Sequence, residues 1–267
     1  EYLTNWYTYQ TFSMTASRAE PRASWPLVGE GSGGRVTEPR RLLSTPANGW
    51  HMAQTIAEKI LARTSGSDEV APGDHVMCDV DMAMSHDGTV AVAHKLEQEG
   101  IDEIWDTSKL VTLIDHRAPA HDVPDATAKS YMREFIEEHD IETFYEVGTG
   151  ISHEVLPEKG HTKPGQLIVG VDSHTVTHGA FGAAGTGIGT TDMAHVFATG
   201  KTWFRVPETI KFTVTGEFGE QVSAKDLVLH IAGEYGTGVG RYKSLEYTGP
   251  AIESLPLDER MVLSNMA

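Results

Sequence analysis

One cysteine, Cys78, stands in 267 residues. A single thiol excludes an internal disulfide, and it excludes a zinc site or iron–sulfur cluster built from this chain's own thiolates. Basic side chains are also scarce, with 21 Lys and Arg against 38 Asp and Glu, a formal charge of −17. That balance argues against nucleic acid as the main partner and against anionic membranes, since both recruit proteins through basic patches. Long apolar runs are missing too. Nothing approaches the roughly 18 to 20 consecutive apolar residues of a membrane helix, and the start lacks the apolar core and cleavage site of a secretory signal. With 39% hydrophobic and 22% charged residues, the composition is that of a soluble globular protein, expected in the cytoplasm.

The length suits one large or two medium domains. Residues 1–51 differ from the rest. They hold three of the five tryptophans, Ser/Pro/Gly/Arg-rich stretches such as PRASWPLVGEGSGGRVTEPRR and no sustained periodicity, which predicts a disordered or non-native leader. The chain does not begin with methionine, and Met52 is the expected natural start. From there helix and strand patterns alternate, an α/β layer architecture. MAQTIAEKILAR reads as a helix, DHVMCDVDM as a strand holding Cys78 as a core residue, and TVAVAHKLEQEG as a helix stopped by Gly100. VTLID and QLIVGV are apolar strands, DATAKSYMREFIEEHD an amphipathic helix, and TTDMAHVFATG a helix ended by Gly200. ETIKFTVTGEF alternates like a half-buried strand, and SAKDLVLHIAGEYG opens with Ser223 and Asp226 at capping-box spacing. LDERMVLSNMA starts like a capped helix and stops without a C-cap, so a truncated chain is expected.

The polar residues that carry chemistry fall just after expected strands, where open α/β sheets place ligand sites. IDHRAP sets Asp115 and His116 behind one strand; VDSHTVTHG sets Asp172, Ser173, His174 and His178 behind another. An aspartate beside a histidine fixes the imidazole tautomer and raises its pKa, which makes a proton carrier at neutral pH. A solvated turn is the other reading of such a pair. His86 in MSHDGT, His153 in GTGISHEV and Glu246 in SLEYTGP stand in similar turn-like sequence. The glycines of GAFGAAGTGIG either admit an anion to backbone amides or permit close packing of helix on sheet. Asp172, His174 and His178 have the spacing of a zinc site only on a helix. The adjoining Thr-Val-Thr and Gly179 predict a loop instead, with His178 packed or hydrogen-bonded.

Taken in order, IAEKILAR, IDHRAP, the run from GTGISHEVLPEKGHTKPGQLIVG through VDSHTVTHGAFGAAGTGIGTTDMAHVF to ATGKTWFRVPETIK, and LEYTGPAI resemble the aconitase family. The likeness is strongest to its shorter members, the large subunits of 3-isopropylmalate dehydratase and homoaconitase, and covers residues 52–267. It implies a three-layer α/β/α fold of two similar N-terminal subdomains with mostly parallel sheets. It also implies a hydro-lyase that isomerises a hydroxy-dicarboxylate or tricarboxylate by dehydration and rehydration, in leucine biosynthesis or for homoaconitate or (R)-2-methylmalate. The family's cofactor is a 4Fe–4S cluster, whose cysteines, with the substrate arginines and the base, are expected beyond Ala267; the swivelling domain is a separate small subunit. This chain alone is then expected to be inactive.

Carried over by motif, Asp115 and His116 match the pair that protonates the departing hydroxyl. His153 with Asp172, and His174 with Glu246, match two further pairs around the reacting oxygens. Ser173 matches a donor to a substrate carboxylate. His86 stands where aconitases have glutamine and the isopropylmalate branch has histidine, and Thr177 replaces an asparagine; both point away from citrate. Two other classes compete: a non-catalytic interaction module that keeps the fold, and a mononuclear metal hydrolase using Asp172, His174 and His178.

Overall fold

A computed structural model describes residues 14–18 and 54–267. β1 (Met14–Arg18) is followed by α1 (Ile56–Ser65), β2 (His75–Asp79), β3 (Met82–Ser85), α2 (Thr89–Glu99), β4 (Leu110–Leu113), α3 (Val123–Glu138), β5 (Thr143–Tyr145) and α4 (Ser152–Glu158). Then come β6 (Leu167–Gly170), a 3-10 helix (Ser173–Phe181), β7 (Ala184–Gly187), α5 (Thr190–Thr199), β8 (Lys201–Arg205), β9 (Glu208–Val214), α6 (Ala224–Tyr235), β10 (Lys243–Thr248), α7 (Pro250–Ser254) and α8 (Leu257–Asn265). Apart from β1, the leader expected over residues 1–51 lies outside the described residues.

Five parallel strands in the order β5-β4-β3-β6-β7 form the central sheet. Its three inner strands, β3, β4 and β6, are buried on both faces, as helices on both sides require. Ala83, Leu110 and Val169 pack with Val92, Leu96, Met132, Phe135, Met193 and Phe197 from α2, α3 and α5. The alternate positions, Met84, Val111, Leu113 and Ile168, face the other way against Leu156 of α4. This is the expected three-layer α/β/α arrangement.

Local signals set the helix limits. The Thr55 hydroxyl and the Glu58 carboxylate exchange hydrogen bonds with each other's backbone N–H at the start of α1, and Ser223 N–H donates to Asp226 at 2.9 Å at the start of α6. α2 and α5 stop at Gly100 and Gly200, both in the left-handed region. α8 differs from expectation, because its N-cap is Pro256 with no side-chain cap.

DHVMCDVDM is not one strand. β2 pairs antiparallel with β8 in a separate two-stranded ribbon, and β3 begins at Met82 in the central sheet. The burial pattern marks the change: β2 is mostly exposed apart from Cys78, whereas all four residues of β3 are buried. A second unit has its own sheet and core. Its sheet has the order β1-β9-β10, with β9 parallel to β10, and Phe212, Val214, Leu227, Ile231, Ile252 and Leu263 make its core. α8 returns to the first unit, where Asn265 Nδ2 donates to Thr177 Oγ1 at 2.9 Å.

Candidate active site

In a parallel sheet the carboxyl ends of all strands lie on one edge. His86 therefore follows β3, Asp115 and His116 follow β4, His153 lies in the first turn of α4 after β5, and Asp172, Ser173 and His174 follow β6. The edge brings together side chains up to 88 positions apart in sequence. Asp115 Oδ1 accepts from His116 Nδ1 at 2.6 Å, and its other oxygen accepts the Ser152 N–H at 2.7 Å. His116 Nε2 lies 3.4 Å from Asp172 Oδ2. Asp172 Oδ1 accepts from His153 Nε2 at 2.8 Å and from the His174 N–H at 2.7 Å. The result is one continuous carboxylate–imidazole chain: Asp115, His116, Asp172, His153.

Two expected residues join the chain at its rim. The His86 ring stacks on His116 with centroids 4.1 Å apart, and the His174 ring sits with Nδ1 3.4 Å from Asp172 Oδ1. Ser173 is exposed beside them. Glu246 is placed differently from its expected pairing. Its carboxylate accepts the Ile56 N–H at the start of α1, at 2.9 Å, a favourable seat for an anion, and no hydrogen bond or ion pair joins it to His174 among the described residues. It lines a cleft of about 1780 Å³ with Gly187, Asp192 and Trp203, which the imidazoles of the chain do not border.

Environment separates the histidines. Burial works against a charged His116, but the hydrogen bond and charge of Asp115, with the charges of Asp172 and Asp87, outweigh it and hold the imidazole above its usual range. Burial dominates at His153 and outweighs Asp172, so its pKa is lowered; His86 is lowered by burial and by His116. Burial also works against ionised Asp172, yet the His174 N–H and the His153 ring keep its carboxyl below the ordinary carboxylate range. The chain thus holds one imidazole biased toward the charged form beside others biased toward neutrality, the division of labour proton transfer requires.

The zinc alternative does not survive the geometry. Residues 173–181 form a 3-10 helix rather than the expected loop, and at three residues per turn positions four apart do not share a face. His178 is fully buried, its Nδ1 lies 3.0 Å from Thr162 Oγ1, and burial pushes its pKa down to about 4. It packs behind His153, with ring centroids 5.8 Å apart.

The glycine run resolves in favour of close packing. A Cβ on Gly185 would strike the Thr175 carbonyl oxygen, and one on Gly187 would come within 2.7 Å of the Asp172 carbonyl oxygen. β7 must run bare beneath the segment that carries Asp172 and His174.

Asp87 was missed in the sequence, where MSHDGT drew attention only to its histidine. Asp87 Oδ2 accepts the backbone N–H groups of Asp115, His116 and Arg117 at 3.2, 2.9 and 3.3 Å. His86, Asp87, Asp115 and His116 offer ligand atoms within 4.8 Å of one another. Both Asp115 oxygens and one Asp87 oxygen are already hydrogen-bonded, and the other Asp87 oxygen faces the Lys129 ammonium at 4.0 Å. That cation opposes a metal ion there. A 4Fe–4S cluster does not fit this chain's residues either. It needs about three or four thiolates, and Cys78 is fully buried with its sulfur 3.8 Å from the Leu61 carbonyl oxygen.

Residues 57–267 match the model of the aconitase family, described as aconitate hydratase. The chain is 53% identical over 217 residues to the 3-isopropylmalate dehydratase large subunit 1 of Methanopyrus kandleri, covering 81% of this chain and 52% of that protein. It is 46% identical over 217 residues to the probable methanogen homoaconitase large subunit of Methanothermobacter thermautotrophicus, covering 79% and 51%. To the 3-isopropylmalate dehydratase large subunit of Aquifex aeolicus it is 43% identical over 217 residues, covering 81% and 50%. The chain spans about half the length of these curated relatives. Motif order, the parallel sheet with its imidazole-lined edge and a match across most of the described residues agree: the chain belongs to the aconitase family.

Proposed function

We propose that this chain supplies the proton-delivering half of a hydro-lyase large subunit that dehydrates and rehydrates a hydroxy-dicarboxylate, with 3-isopropylmalate as the favoured substrate. The observation that carries the reading is the unbroken chain from Asp115 through His116 and Asp172 to His153. Loss of hydroxide from carbon needs an acid in place, and later the same group takes a proton back from water. His116 is the acid. Asp115 holds its Nδ1–H and leaves Nε2 toward Asp172 and the open edge; His153 and His174 orient Asp172 and bind the oxygens it faces. Ser173 donates to a substrate carboxylate, and His86, stacked on His116, borders the substrate side chain. Glu246 joins the site only if a substrate or the rest of the protein draws it from α1.

The 4Fe–4S cluster implied by this reading would supply the Lewis acid and would need cysteines outside this chain, which has a single thiol. The steps assigned here are proton transfers alone. A small subunit carrying the base is the expected partner and the cytoplasm the expected location; no helix among the described residues is long and apolar enough to cross a membrane. Homoaconitate is the second substrate reading, favoured by the homoaconitase-named relative at 46% identity; (R)-2-methylmalate belongs to the same test. The complete large subunit, assembled anaerobically with its small subunit, should form the conjugated alkene from 3-isopropylmalate, followed by ultraviolet absorbance, and His116→Ala should slow it about 10²- to 10⁴-fold. Faster turnover of homoaconitate or 2-methylmalate reassigns the substrate. Turnover of none of the three rejects the hydro-lyase.

A further inference from the structure

The Asp115–His116 turn leaves β4 at the edge of the sheet, where successive N–H groups have no ladder partner. Three of them, from residues 115, 116 and 117, converge on the single oxygen Oδ2 of Asp87. Three consecutive donors on one carboxylate oxygen form an anion-binding concavity in which the anion is a side chain of the same protein. The Asp87 side chain is only 10% exposed, and a buried carboxylate is costly unless charge and hydrogen bonds compensate it. The three N–H groups supply the hydrogen bonds to Oδ2, and α3 supplies the nearest cation to Oδ1. Lys129, 5% exposed, lies 4.0 Å from Asp87 Oδ1 and donates to Asp125 Oδ2 at 2.7 Å, while Arg117 reaches Asp125 Oδ1 at 3.6 Å.

We infer that Asp87, with the Lys129 ammonium 4.0 Å from its other oxygen, is a positioning residue that clamps the Asp115–His116 turn so that His116 Nε2 points at the reacting edge. The inference rests on reading His116 as the acid of the reaction. Asp87 touches neither imidazole nitrogen. It acts through the backbone that carries both members of the pair, and it ties that backbone to the residue following His86. A carboxylate here fixes the turn in all three N–H directions at once, which a solvent-facing loop could not do.

The test uses the complete large subunit with its small subunit, 3-isopropylmalate as substrate, and two readouts: kcat against KM, and amide hydrogen exchange in the peptide containing residues 115–117. Asp87→Ala should raise exchange in that peptide at least about tenfold while α5 peptides stay unchanged. It should lower kcat by about 10²-fold, the scale of an ångström's misplacement of a catalytic group, with KM within about threefold. Asp87→Asn, which keeps one accepting oxygen, should fall between the two. Wild-type exchange at 115–117 in Asp87→Ala overturns the clamp, and so does raised exchange with unchanged kcat. Should Asp87→Ala not fold, Lys129→Met decides: kcat about tenfold lower with KM unchanged, restored by Lys129→Arg, supports the inference, and wild-type kcat overturns it. If the wild-type enzyme converts none of the three acids, the functional reading fails on that result, while exchange at 115–117 still reports whether Asp87 holds the turn.

Discussion

His116 stands between two carboxylates, and the two contribute differently. Asp115 is a fully buried acceptor whose oxygens are both committed, one to His116 Nδ1 and the other to the Ser152 N–H. An asparagine there offers one acceptor and one donor, so one of those two N–H groups would meet an amide N–H instead. The Asp115 bond and charge also oppose the effect of burial and raise the His116 pKa. An acid must be protonated to act, so the rate should fall as pH rises through that elevated pKa. Asp115→Asn removes the main raising influence, and the alkaline limb of kcat/KM should move to lower pH. In the assembled enzyme the loss relative to wild type should therefore be larger at about pH 8 than at about pH 6. An equal loss at both would show that Asp115 does not tune His116.

Among the elements, β7 carries the site with almost no side chains of its own. Its sequence, Ala-Gly-Thr-Gly, has none of the β-branched or aromatic residues that favour strands apart from Thr186. It pairs with β6 along its whole length, and its glycines admit the backbone of the 3-10 helix. Gly185→Ala would push a methyl group into the Thr175 carbonyl, so either β7 leaves β6 or the segment bearing Asp172 lifts. We expect a loss of about 2–4 kcal/mol in the large subunit, read from urea unfolding, since overpacking against rigid backbone has no flexible neighbour to absorb it. Gly189→Ala is the control. Its nearest added contact is the Asp192 carboxylate at 3.6 Å, and because Gly189 is the N-cap of α5 it should lose only about 1 kcal/mol, the cost of alanine at a cap.

Across the whole molecule, the charge balance bears on the RNA-binding alternative. The first 51 residues hold five basic and four acidic side chains, so the acidic excess resides in residues 52–267. RNA binding by a non-catalytic module of this fold would need several Lys and Arg on one face to release counterions. We expect no mobility shift of a single-stranded RNA by the protein at about 0.15 M salt. A shift that weakens steeply as salt rises would revive the interaction-module reading. The sheet edge gathers His86, His116, His153 and His174 around Asp115 and Asp172, so the hydroxy-dicarboxylate proposed above would meet imidazoles there beside the carboxylates.

Period and punctuation alone determined much of this. Helical spacing marked α1, the same spacing with Ser223, Gly100 and Gly200 at the ends marked α6, α2 and α5, and the apolar runs in VTLID and QLIVGV marked the two strands beside β3 whose ends carry Asp115 and Asp172. Local chemistry also marked the Asp115–His116 pair, since neighbours in sequence bond directly. What only the tertiary structure decided are the relations between distant segments. The split of β2 from β3 depends on which sheet each strand joins, and β7 exists as a strand only because β6 lies beside it. The Asp172–His153 bond crosses 19 positions and the Asp87 clamp about 28, and Glu246 went to α1 instead of His174 because α1 presents an unpaired N–H. A sequence records the propensity of each segment, but a buried hydrogen bond between two loops depends on the sheet edge that brings them together, and that edge exists only once the strands have packed.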